Sequence, residues 1–138
     1  MNFMGSIWFY LVLSMIFFNL IIPLGVALIF LTGFIILARL LVFKKRKIKP
    51  KLLFGGNIWI VGLINSRSFI SAHVARLTAL ISILSIHYSF YLLGLLVIPF
   101  LLGYYRIKQG FHDLVDVLVG FLVGAYFGFL SYYLFLLF

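Results

Sequence analysis

Apolar residues run from 3 to 43 with Arg39 as the only charge. That is about twice the roughly 20 residues a helix needs to cross a ~30 Å hydrocarbon core. The stretch "NLIIPLG", with Asn19, Pro23 and Gly25, supplies turn formers near its middle, so the pattern predicts two spans there. A basic run, "KKRKIKPK", covers residues 44–51. Residues 52–65, "LLFGGNIWIVGLIN", are too short and too glycine-rich for a span and read as an interfacial or re-entrant connection. A third span is expected over 71–87, a fourth over 88–104 and a fifth from 111 to the C-terminus. The N-terminus has neither a basic leader nor a small-residue cleavage site, so the first run is expected to be a retained span. There is no internal repeat. The expectation is a single membrane-embedded domain over residues 1–138, all-α and polytopic.

Composition agrees with the pattern: 66% of the 138 residues are hydrophobic and 9% are charged, against about 25% charged in a soluble domain. The formal charge of +9, from 11 Lys and Arg against two acids, suits anionic lipid. The long apolar runs argue against nucleic acid as a partner. With no cysteine, disulfides and thiolate metal sites are excluded. Threading the expected spans puts all eleven cations on or near one side. By the positive-inside rule that side is expected to be cytoplasmic, which reads as a multi-pass protein of the cell membrane with its charged end in the cytoplasm, although an anion-binding site would gather cations on one side whichever way the protein faced.

Both acids fall in one stretch, "YYRIKQGFHDLVDVLVGFLVG", residues 104–124. If a helix begins near Gly110 or Phe111, His112 and Asp116 lie one turn apart on one face. That spacing lets a carboxylate hold one ring nitrogen and leave the other as a nucleophile or base. Arg106 precedes the helix, whose N-terminal amides and dipole favour an anion. The alternative is that Asp113 and Asp116 cap the helix while Arg106 and Lys108 anchor it at the interface. A second stretch, "NSRSFISAHVAR", residues 65–76, puts Ser71 and His73 at the start of the third span with Arg76 nearby. Both helices open on the charged side, so the two clusters can converge, and ionisable groups at a membrane edge point to function. His87, at the opposite turn beside Tyr88, reads as an interfacial residue. His73, His112, Asp113 and Asp116 include metal-ligand types, but two Asp and no Glu are a poor Mg²⁺ set. No metal or other cofactor is expected.

These residues resemble a family. Arg106, His112 and Asp116 in R-x5-H-x3-D, followed by Val117 and Gly120, look like the third signature of the type 2 phosphatidic acid phosphatase superfamily of membrane phosphatases. Its second signature, Pro-Ser-Gly-His after Ser-Phe, is matched by "SFISAH" at Ser68, Phe69, Ser71 and His73, with Ile70 for proline and Ala72 for glycine. Of the first, Lys-x6-Arg-Pro, Lys44 and Lys51 keep the spacing and Lys49-Pro50 keeps the dipeptide with lysine for arginine. The order is right, and the resemblance covers residues 44–124.

The resemblance implies a six-helix bundle, so five to six spans are expected here, the sixth supplied by residues 52–65 if present. It implies His112 as nucleophile forming a phosphohistidine, Asp116 as its orienter and His73 as general acid. Arg106, Ser71, the Ala72 amide and a base among Lys44, Lys49 and Lys51 would hold the phosphoryl oxygens. The expected function is a lipid-phosphate phosphatase, with a polyprenyl diphosphate as substrate. Phosphatidate and phosphatidylglycerophosphate are the alternatives. The competing class is a non-catalytic membrane protein whose basic loop binds anionic lipid. A channel or transporter is disfavoured because the far side carries no charge.

Overall fold

The computed structural model describes residues 20–42 and 69–137. Within them lie four α-helices: α1 (Ile21–Leu41), α2 (Ala72–His87), α3 (Val97–Lys108) and α4 (Leu114–Leu137), with no strand among the described residues. Residues Ile21–Leu41, Phe90–Lys108 and Leu114–Leu137 are long and apolar enough to cross a membrane, and α2 is a shorter apolar helix. The expected first span, the basic run and the 52–65 connection fall outside the described residues, so five to six spans remains an expectation for the whole chain.

Three boundaries differ from the sequence reading, each because a cap or a turn decides it. Pro23 sits inside α1, in its first turn, where a missing N–H breaks no intrahelical bond. The interruption expected over 19–25 therefore does not extend past Leu20. The fourth span opens as a 3-10 turn, Phe90–Leu96, with the Ser89 hydroxyl accepting from the Tyr91 N–H, and continues as α3 four residues beyond Tyr104. Finally, α4 starts at Leu114 rather than near Gly110. Gly110, at φ 72°, instead ends α3: its N–H donates to Ile107 O at 2.9 Å, and the Phe111 N–H donates to Arg106 O at 3.2 Å. This is the Schellman arrangement, which favours glycine because a side chain opposes positive φ.

The bundle is built around α2, which buries most of its surface, and its largest interface is with α4. Close approach follows from small residues on both helices. Gly120, Gly124 and Gly128 form one stripe on α4, and a Cβ at each would press on Ser71, Ala75 and Ala79 of the α2 segment. At Gly128 the nearest atom, Ala79 O, would be 2.7 Å away. Such small-residue contacts are how helices associate where lipid removes the hydrophobic drive. Serines fit this core by bonding their own helix: Ser82 Oγ donates to Thr78 O at 2.9 Å and Ser85 Oγ to Ile81 O at 2.6 Å. Outward faces carry Ile29, Phe30, Leu101, Leu122 and Tyr126, all exposed, while Arg39, Asp116 and His112 are buried. Large apolar side chains on the outside, with ionisable groups withdrawn to the inside, fit a lipid-facing surface.

The alternation of directions brings one end of every helix together: the C-terminal ends of α1 and α3 and the N-terminal ends of α2 and α4. His87 lies at the other end, half-buried, its Nδ1 3.0 Å from the Tyr132 hydroxyl and its ring edge-on to Tyr88.

Candidate functional site

The third-signature residues are placed by the α3–α4 turn. Arg106, in the last turn of α3, is buried, and its guanidinium lies over the Phe111 ring at 5.5 Å. That cation–π contact joins Arg106, two residues before the end of α3, to Phe111, three residues past it, a pair that the Schellman turn brings into contact.

His112 precedes α4 instead of lying on it. Asp113 occupies the N-cap position, its carbonyl accepting from the Val117 N–H at 3.3 Å. Asp116 is three residues on, where a side chain reaches back to the cap amide: its Oδ2 accepts from the Asp113 N–H at 3.1 Å. The same Oδ2 is 3.6 Å from His112 Nδ1, with both side chains almost wholly buried. The four-residue spacing thus delivers the pairing by a different route. The chain folds back through a cap, so capping and pairing, which the sequence offered as alternatives, occur in one carboxylate. At 3.6 Å the contact is an ion-pair separation longer than a hydrogen bond.

Second-signature residues lie at the same end of the bundle as this pair. Ser71 is the N-cap of α2, yet its side chain makes no capping bond, and its fully buried Oγ has no hydrogen-bond partner among the described residues. A buried hydroxyl without a partner carries a desolvation cost. The first intrahelical bond of α2 runs from the Ala75 N–H to Ser71 O, leaving the amides of Ala72, His73 and Val74 as helix-terminal donors that suit an anion. The Ala72 methyl does not prevent the helix from starting there. His73 is half-buried in the first turn, within electrostatic reach of Arg106, Arg76, His112 and Arg39.

The two signatures are stitched by the main chain: the Ser71 N–H donates to Asp116 O at 2.9 Å. Beside that bond the Gly120 backbone presses on Ser71, where a Cβ would lie 2.9 Å from its carbonyl oxygen. The structure therefore brings Ser71, Ala72, His73, Arg106, His112 and Asp116 to one end of the bundle. Lys44, Lys49 and Lys51 lie outside the described residues.

Two features carried no assigned role in the sequence reading. Arg39, buried in the last turn of α1, donates from Nε to Phe69 O at 3.1 Å and from Nη2 to Ile70 O at 3.0 Å. Its signal was visible, as the only charge inside an apolar run. Ile70, fully buried, holds φ at 62°, a costly region for a β-branched residue and one closed to the proline of the family signature, whose ring fixes φ near −65°. Nothing in the sequence announces that turn. Among the described residues no three His, Asp or Glu groups are placed to share a metal ion.

Neither a curated protein nor a solved structure matches the chain. A family model does, that of the PAP2 superfamily, over residues 43–137. The match spans more than half of the chain and contains both stitched signatures, so the chain belongs to the PAP2 superfamily, the type 2 phosphatidic acid phosphatases and their relatives.

Proposed function

We propose that the chain is an integral membrane lipid-phosphate phosphatase working through a phosphohistidine on His112. The observation that carries this reading is the buried His112–Asp116 pair at 3.6 Å, on an α4 segment tied by its backbone to the N-terminus of α2. With Asp116 facing Nδ1, Nε2 is the nitrogen left to attack. It forms the N–P bond as the P–O bond to the lipid breaks, and His73 gives its proton to the departing oxygen. Water then gives a proton to the now neutral His73 and attacks phosphorus, the N–P bond breaks, and inorganic phosphate leaves with His112 free and His73 again protonated. Meanwhile Arg106, the Ser71 hydroxyl, the Ala72 amide and the basic run around Lys44, Lys49 and Lys51 take up charge on the phosphoryl oxygens, the main requirement of phosphoryl transfer. Residues 1–138 act as one domain, and the substrate is a lipid phosphate reached from within the membrane. A polyprenyl diphosphate suits the site best, because two linked phosphates match a basic end supplied by several elements. Phosphatidate and phosphatidylglycerophosphate would instead present a terminal phosphomonoester, which expels an alkoxide.

Ile70 supports a second reading, a non-catalytic anionic-lipid-binding protein, since the second-signature turn has a backbone its family's proline could not adopt. Purified chain in detergent micelles, given polyprenyl diphosphates, phosphatidate and phosphatidylglycerophosphate, separates the two. Phosphate release, with an acid-labile, alkali-stable phosphoenzyme that His112→Ala abolishes, is the expected result. No release across the panel would favour the second reading.

A further inference from the structure

Arg39 lies outside the segment that the family model matches, and none of the three signatures calls for it. A buried guanidinium in an apolar helix is kept only where its donors are used. Here Nε and Nη2 donate to two consecutive carbonyls, Phe69 O at 3.1 Å and Ile70 O at 3.0 Å respectively. The second carbonyl belongs to the peptide unit whose other edge is the Ser71 N–H, and that N–H donates to Asp116 O at 2.9 Å. One peptide plane is therefore held from both sides, by α1 through Arg39 and by α4 through Asp116. It immediately follows the φ of 62° at Ile70, a conformation that persists only where the surroundings over-determine it. The planar fork of arginine spans two adjacent carbonyls, whereas the ammonium of lysine is a point donor.

We propose that Arg39 is a positioning residue for phosphoryl transfer. By gripping the Phe69 and Ile70 carbonyls it holds the strained turn that sets the Ser71 hydroxyl and the first amides of α2 against His112. This rests on the phosphatase reading above. Arg39 touches no reacting atom, so its effect is on geometry: a misplacement of about 1 Å costs on the order of 100-fold in rate.

The test uses the full chain in micelles and compares wild type, Arg39→Lys, Arg39→Gln, Ile70→Gly and Arg39→Gln/Ile70→Gly. For each, kcat, KM for the lipid phosphate, inhibition by inorganic phosphate and the melting temperature are measured. Arg39→Gln is expected to lower kcat by about 10- to 100-fold per folded molecule and to weaken phosphate inhibition in parallel, with KM changing less because the lipid tail is bound elsewhere. Arg39→Lys is expected to keep the melting temperature close to wild type while recovering little of kcat. Glycine adopts positive φ without steric cost, so the Arg39→Gln loss should shrink in the Ile70→Gly background. The missing isoleucine side chain is common to both arms of that comparison and cancels. Full activity in Arg39→Lys, an equal loss in both backgrounds, or an Arg39→Gln enzyme that melts early but turns over normally would each overturn the proposal and leave the phosphatase reading standing. If Arg39→Gln does not fold, Arg39→Lys alone decides. A wild-type chain that releases no phosphate would overturn both.

Discussion

Gly120 offers the sharpest test of how the helix seam serves the site. A methyl group there would lie 2.9 Å from Ser71 O and 3.3 Å from Ser71 N, where ordinary contact begins at 3.4 Å. The obstructing atoms are backbone, so relief requires α2 to move away from α4 by about half an ångström. Ser71 would carry that shift directly, lengthening its 2.9 Å bond to Asp116 O toward the limit of a hydrogen bond. Two energies nearly offset in stability: overpacking costs about 1–3 kcal/mol, and Gly→Ala within a helix returns about 1 kcal/mol. Activity has no such offset. If 1 Å of misplacement costs about 100-fold, half that shift costs about 10-fold. Gly120→Ala should therefore lose about 10-fold in kcat/KM with a melting temperature lowered by only a few degrees. Gly33 on α1 is the control, since no described atom lies within 4 Å of its added Cβ; Gly33→Ala should be silent. Phosphate-release kinetics beside thermal melts of both variants make the measurement. A Gly120→Ala enzyme within twofold of wild type, or a Gly33→Ala enzyme equally impaired, would refute the reasoning.

Three other outcomes follow from the same geometry. Asp116→Asn keeps a carbonyl oxygen for the Asp113 N–H but loses the charge facing His112, so kcat should fall about 10²- to 10⁴-fold with little change in melting; retention within threefold would remove Asp116 from the mechanism. His73→Ala should be mild on diphosphates, whose leaving group is a weakly basic lipid phosphate, and severe on monoesters, which expel an alkoxide; equal losses on both, compared by kcat, would end the general-acid assignment. If the cation-rich end faces the cytoplasm, a cysteine replacing Lys47 should react with a membrane-impermeant thiol reagent only in opened cells, and labelling of intact cells would reverse the orientation.

The sequence made the helices and the convergence of the two signatures legible because both depend on patterns a chain displays directly: apolar length, and ionisable groups set among apolar ones. What it hid was backbone. The start of α4 at Leu114 is set by the glycine cap on α3 and the Asp113 cap on α4, and a hydropathy pattern does not resolve caps. The bond from the Ser71 N–H to Asp116 O has no side-chain signature at all. Gly120, Gly124 and Gly128 could be read as a spacing of four, but their meaning depends on Ser71, Ala75 and Ala79 lying opposite, and only the packed pair reveals that. Ile70 is the extreme case, since a β-branched residue at φ 62° contradicts its own propensity and is held by partners distant in sequence.

Asp116 shows why the chain can build a site with only two acids. Its Oδ2 serves the cap amide of Asp113 and faces His112 Nδ1, and its carbonyl takes the Ser71 N–H. A carboxylate with no exposed surface would be strongly disfavoured if it served one partner weakly. Here the helix N-terminus and its amide bond stabilise the negative charge at the place where His112 needs it. The cap is thus what makes the buried charge tolerable, and on the proposed mechanism that charge is what would orient the histidine. Were the cap removed by moving the start of α4, the carboxylate would lose the cap amide and the ring its orienter together. Conversely, a capping residue without charge would preserve the fold and leave the imidazole unheld. Stability and chemistry are therefore separable at this residue by charge alone.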